Sequence, residues 1–278
     1  MARSTPENEF RQHTAMQGDI LRFVGGEHVV MGGTAGANKL RADLGDDTLW
    51  GEGGADRLEG GAGNDALNGG DGPDIITDQF GDDNIKGGDG NDAINPGGGF
   101  DLVLAGFGKD FVIGGADPTE TFGGVGDDFI NAGDSADIVF GDEGDDWIEG
   151  GDQADLLQGG NGDPFQADTQ TGDDVINGNS GNDDYDAEGG DDIMLTGHGT
   201  ERLEGMLGFD WASHQGYDQP ADADLERKVF VRPDEDNVRD RFDLVEGLSG
   251  WSHNDILRGE SLGTPAGNEL TNPGLIPG

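Results

Sequence analysis

The chain has 278 residues, 55 of them Gly and only 32% hydrophobic, with 59 acidic against 15 basic side chains and a formal charge of -44. So little apolar material argues against an ordinary two-layer globule, the absence of Cys excludes disulfides and thiolate metal sites, and the negative field makes nucleic acid and anionic membrane poor partners. Of the acids, 43 are Asp and 16 are Glu, a bias toward the carboxylate nearest the backbone, where it can bond turns or share a cation with main-chain carbonyls.

The first stretch, Met1 to Asp19, is polar and lacks the apolar centre of a secretory signal, and no segment approaches the roughly 18 apolar residues of a membrane span. Residues 1–28 are expected to form a polar segment and entry cap. Val29/Met31 and Asn38/Leu40 then open a pattern without its aspartate, as end turns that keep the core residue and give up the ligand.

From Asp47 an aspartate recurs every nine residues: Asp56, Asp65, Asp74, Asp83, Asp92, Asp101, Asp110, then Thr119 as the exception, then Asp128, Asp137, Asp146 and Asp155. Two residues after each stands a branched aliphatic residue, from Leu49 to Leu157, with Thr121 interrupting at the same step. Glycine usually stands two residues before, and four units carry the full GGxGxD form, at Gly60–Asp65, Gly69–Asp74, Gly87–Asp92 and Gly123–Asp128. An insertion around Gly162-Asp163-Pro164-Phe165 shifts the phase by one, and the pattern resumes at Asp174/Ile176, Asp183/Tyr185 and Asp192/Met194. Disordered acidic sequence would not hold an apolar residue at a constant offset from an aspartate.

Nine residues are too few for a helical hairpin, whereas a glycine turn followed by a strand of about three residues fits. Two units then make one 18-residue coil, and stacked coils predict an all-β fold: a parallel β-roll over 29–196 with a small mixed C-terminal cap. One aliphatic side chain per unit contributes roughly 1.5–3 kcal/mol, against about 1–2 kcal/mol of entropy per ordered residue, so the apolar ladder alone leaves the roll marginal. Stacking also brings aspartates 18 apart in sequence to about 4.8 Å in space, where bare carboxylates repel and a calcium ion sharing them with loop carbonyls would bind.

The expected metal ligands are Asp47, Asp56, Asp65, Asp74, Asp83, Asp92, Asp101, Asp110, Asp128, Asp137, Asp146, Asp155, Asp174 and Asp192. They pair as 47/65, 65/83, 83/101 and 137/155 on one edge, as 56/74, 74/92, 92/110, 110/128 and 128/146 on the other, and as 174/192 beyond the insertion. Up to about ten Ca2+ ions follow, with a gap at Thr119. Modules working at extracellular calcium bind at about 10⁻⁴–10⁻³ M, so the chain is expected to be unfolded in a calcium-poor cytosol and folded outside the cell.

Residues 197–250 lose the nonapeptide and carry Trp211, Tyr217, Phe230, Phe242 and Trp251 at or beside them, as a non-repeat cap subdomain. Asp236-Asn237 before Val238, Phe242 and Val245 predicts a short helix with an acidic start. Over 251–278, a partial repeat with Asp255 and Leu257 at the right offset leads into a flexible tail. The five histidines, His13, His28, His198, His214 and His253, are scattered without an HExxH pair and are expected on the surface. Ser180 and Ser249 lack a nucleophile-elbow setting, so no catalytic residue and no enzyme activity is expected of this chain.

Units such as Gly60-Gly61-Ala62-Gly63-Asn64-Asp65-Ala66-Leu67-Asn68 resemble the nonapeptide of the RTX, or haemolysin-type, calcium-binding proteins over about residues 38–196. The resemblance implies export by a type I secretion machinery in an unfolded state and calcium-triggered folding outside. The flanks Asp19–Val30, Gly205–Trp211 and Arg239–Trp251 resemble the calcium-binding region of large bacterial haem peroxidases of the animal type. That likeness implies, as alternatives, the non-catalytic part of a secreted exoenzyme, while the 197–250 surface leaves room for an adhesin or matrix module.

Overall fold

The computed structural model describes residues 20–162, 172–216, 220–225, 240–252 and 255–259. Two parallel sheets face one another, each gaining one strand per coil. The first runs Ile20–Arg22, Lys39–Arg41, Arg57–Glu59, Ile75–Thr77, Ala93–Asn95, Phe111–Ile113, Phe129–Gly133, Trp147–Asp152, Val175–Ser180, Ile193–Leu195, Trp211–Ser213 and Gly247–Ser249. The second runs Val30–Thr34, Thr48–Gly53, Ala66–Asp71, Asn84–Asp89, Asp101–Phe107, Thr119–Val125, Ile138–Glu143, Leu156–Gln158, Asp184–Asp186, Arg202–Glu204 and Arg241–Asp243. A separate two-stranded ladder joins Asp222–Asp224 to Ile256–Arg258.

The strands are short because each unit supplies one inward side chain between two outward ones, and the glycine turn follows at once. Register follows the period: Leu49 lies opposite Leu67, Leu67 opposite Ile85, and Leu58 opposite Ile76. The core is therefore two facing columns, one including Met31, Leu49, Leu67, Ile85, Val103, Val139 and Leu157, the other Leu40, Leu58, Ile76, Ile94, Val112, Ile130 and Ile148. Every member of both is at most 6% exposed. Thr121 takes its place in the first column between Val103 and Val139 and is also buried.

Beyond the insertion the coils resume in register. Trp147–Asp152 pairs with Val175–Ser180, and Leu156–Gln158 with Asp184–Asp186, each at a sequence offset of 28 instead of 18. The inserted residues 163–171 lie outside the described residues.

The structure differs from expectation in three places. Neither sheet ends near 196: Arg202–Glu204, Trp211–Ser213, Arg241–Asp243 and Gly247–Ser249 extend both, so much of the expected cap carries roll strands. The expected helix is replaced where it can be seen. Phe242 is the inward residue of a strand paired with Arg202–Glu204, opposite Leu203, and no helix occurs among the described residues. The open edge of the growing sheet presents unpaired main-chain groups, and the alternation in Arg241-Phe242-Asp243 fits a strand there; residues 236–239 lie outside the described residues. Finally, His214 is buried at 2% exposure, bonded to Asp240 at 3.0 Å, while His28 and His198 are exposed as expected. His13, His253, Tyr217 and Phe230 lie outside the described residues.

Candidate metal centre

Each repeat aspartate stands at the start of a strand, Asp101 as its first residue and the others immediately before it, and is buried, so two buried acidic columns run along the roll. The backbone amide of one aspartate donates to Oδ1 of the aspartate one coil later. All ten expected pairs are joined in this way: 47/65, 65/83, 83/101, 137/155, 56/74, 74/92, 92/110, 110/128, 128/146 and 174/192, at 2.7–2.9 Å. The columns also bridge the insertion, where the amides of Asp146 and Asp155 reach Asp174 and Asp183 at 2.8 and 3.0 Å.

The second oxygen of these side chains has no such donor. Oδ2 of thirteen of the fourteen expected ligands, all but Asp174, is buried without a hydrogen-bond partner. A buried polar atom left in that state costs about 1–3 kcal/mol, more when charged, so a regular row of them calls for a proton or a cation. Main-chain oxygens converge on the same space. A methyl group on Gly123 would stand 2.5 Å from the carbonyl oxygen of Gly141 and 2.8 Å from Asp128 Oδ2, so only glycine leaves the gap between a carboxylate and a carbonyl of the next coil open. Closely spaced hard oxygens with excess negative charge suit calcium, which takes six to eight such ligands at about 2.3–2.6 Å.

The electrostatics agree. Burial, opposed by the amide on Oδ1 and reinforced by neighbouring carboxylates, pushes Asp83, Asp92, Asp128 and Asp155 up to about 7. The same burial raises Asp174 to about 7 and Asp47, Asp74, Asp101 and Asp137 to about 6, and burial together with the charges of Asp174, Asp128 and Asp127 raises Asp146 to about 9. Asp56, Asp65, Asp110 and Asp192 move in the same direction for the same leading reason. The bare roll holds its carboxylates against their preference to ionise.

At the defect, Thr119 is buried and its amide and hydroxyl both donate to Asp137 Oδ1, at 2.6 and 3.1 Å. It offers nothing to Asp101, whose amide turns to the Pro118 carbonyl at 3.3 Å. The expected gap in the acidic column is present.

The ligand set expected from the sequence leaves out several members of the columns, including Asp183, which the repeat itself contains. Asp183 and Asp210 each leave a buried oxygen without a donor, and Glu201 leaves both. Their signal was available, because Asp183 follows Asp155 by the same 28 residues that separate Asp146 from Asp174, and 201 and 210 lie one coil beyond 183 and 192. Burial raises Glu201 to about 9. At the far end Asp210 and Glu201 donate their amides to Glu246 and Asp240, at offsets that no period of nine announces.

A second ladder was also overlooked. The residue just before the repeat aspartate is Asp or Asn in many units, and its Oδ1 accepts from the amide one coil later, the reverse of the inner ladder. Asp46, Asn64, Asp82 and Asn91 serve Asn64, Asp82, Phe100 and Lys109 in this way at 3.0–3.1 Å. Asp145, Asp173 and Asp191 continue it beyond the insertion to Asp173, Asp191 and Phe209.

Among the curated proteins compared with this chain, none matches. One family model does, the RTX calcium-binding nonapeptide repeat (4 copies), over residues 32–67, 68–103, 122–148, 140–163 and 167–194. With matches across half the chain and a β-roll whose glycine loops and buried aspartates keep the nonapeptide phase, the chain belongs to the RTX calcium-binding repeat family.

Proposed function

We propose that the chain is a calcium-triggered folding module that works outside the cell. It leaves the calcium-poor cytosol unfolded through a type I exporter and becomes a roll only where calcium is plentiful. The observation that carries this reading is the row of buried Asp Oδ2 atoms without donors, facing main-chain oxygens across each coil gap. Calcium ions in those gaps, ligated by the fourteen repeat aspartates together with Asp183 and Asp210, would satisfy the orphaned oxygens and offset part of the formal charge of -44. With each Kd at a tenth of the free calcium concentration, linkage adds about 1.4 kcal/mol per occupied site, enough over several sites to decide between coil and roll.

Far-UV circular dichroism of the full chain, titrated with calcium after chelation, tests this directly. The expected result is a cooperative change from coil to β; a spectrum already β-like in chelator and unmoved by calcium would overturn the reading.

A further inference from the structure

Position 78 departs from the repeat. One coil earlier stands Gly60, and the matching place in the units between and beyond is held by Gly69 and Gly87, whereas here the chain carries Asp78. Its side chain is 8% exposed. Oδ1 accepts from the amides of Gly61, at 3.3 Å, and Gln79, while Oδ2 is buried with no donor. Oxygens of Asp78, Asp65 and Asp83 all lie within 4.8 Å of one another, and no other group of three acidic, His or Cys side chains comes so close among the described residues. Gly60 closes the arrangement: any side chain there would collide with both the Asp65 and Asp78 carboxylates.

We infer that Asp65, Asp78 and Asp83 form a three-carboxylate calcium site, tighter than the two-carboxylate gaps elsewhere and the first to fill. The inference rests on the calcium reading above and adds to it an order of filling. Three unpartnered buried oxygens from three carboxylates present one more negative charge than a gap built on two repeat aspartates. A carboxylate about 4 Å from a divalent ion adds enough attraction, even at the dielectric of water, for about a tenfold gain in affinity. Asp78 also ties the loop before Asp83 to the loop before Asp65, through its bond to the Gly61 amide, so an ion here joins two adjacent coils.

The test is calcium binding by isothermal titration calorimetry on the full chain after chelation, comparing the wild type with Asp78→Asn and with Asp78→Gly, which restores the residue of the regular loops. The wild type is expected to show one ion bound about tenfold more tightly than the rest. Both variants should lose that phase, keep the weaker sites and reach the wild-type dichroism at saturating calcium. Asp92→Asn, in the other acidic column, should lose weak capacity and keep the tight phase. Wild-type binding in a single weak class, isotherms for the Asp78 variants that superimpose on the wild type, or loss of the tight phase in Asp92→Asn would each overturn the inference while leaving the calcium reading intact. A wild type that binds no calcium would overturn both.

Discussion

Single residues in this roll are tightly constrained, because a nine-residue unit leaves few spare positions. Gly72 is an example. Its φ of +110° and the Gly54 carbonyl pressed against the place where a Cβ would stand make any side chain doubly unwelcome. Gly32 has open space around it and no such backbone constraint. Gly72→Ala is therefore expected to lower the stability of the calcium-loaded roll by roughly 1–3 kcal/mol, and Gly32→Ala by less than about 0.5 kcal/mol. Urea denaturation at fixed saturating calcium would check the pair, and equal midpoints would contradict the loop geometry. At the same scale, the carboxylate is divided between two roles: Oδ1 holds the amide of the preceding coil and Oδ2 faces the gap. At 64 and 91, just before the aspartate, the stacking bond needs only a side-chain oxygen as acceptor, which explains why Asn serves there as well as Asp.

Coils are the elements of this molecule, and what joins one to the next is a ladder of main-chain bonds, a pair of apolar columns and two side-chain ladders running in opposite directions. Aromatic rows on the outer faces add to this, with Phe111 stacked on Phe129 at 5.1 Å and Phe122 on Phe140 at 4.7 Å. Both stacks span the coil containing Thr119 or its neighbours, where the acidic column is interrupted. Thr119→Asp would give the Asp101 amide a carboxylate acceptor and restore two gaps, with Asp101 and with Asp137. The expected outcome is a rise of up to two in calcium stoichiometry, counted on saturated and desalted protein. An unchanged count in a folded variant would show that the loop from Gly114 to Pro118, and not the missing carboxylate, closes those gaps.

For the whole molecule the dominant fact is that calcium-free folding is opposed by its own charge. The buried aspartates have folded pKa values raised from 3.8 to about 6–7 in most of the columns, chiefly by burial. The calcium-free roll therefore binds more protons than the unfolded chain between about pH 4 and 7. This contribution to its stability is fully present below about pH 4 and is lost as pH rises through the folded values. In chelator, the β signal in circular dichroism is expected to be greater at pH 5 than at pH 8, and calcium is expected to restore it at pH 8. A chelated chain more ordered at pH 8 than at pH 5 would contradict this sign.

The ninefold spacing of Asp and of aliphatic residues determined, without coordinates, the parallel roll, its 18-residue coil, the ten aspartate pairs and the defect at Thr119, because every one of those features is a local period repeated in space. Asp78 and the columns past 210 were not legible in the same way. Phe242 and Glu246 complete the columns through offsets of 39 and 36 residues, set by which strand reaches the open edge of each sheet. Asp78 looks like one more acid in an acidic chain until stacking places it over Gly60 and between Asp65 and Asp83. A period says what recurs, and only the packed coils decide what an irregular residue meets.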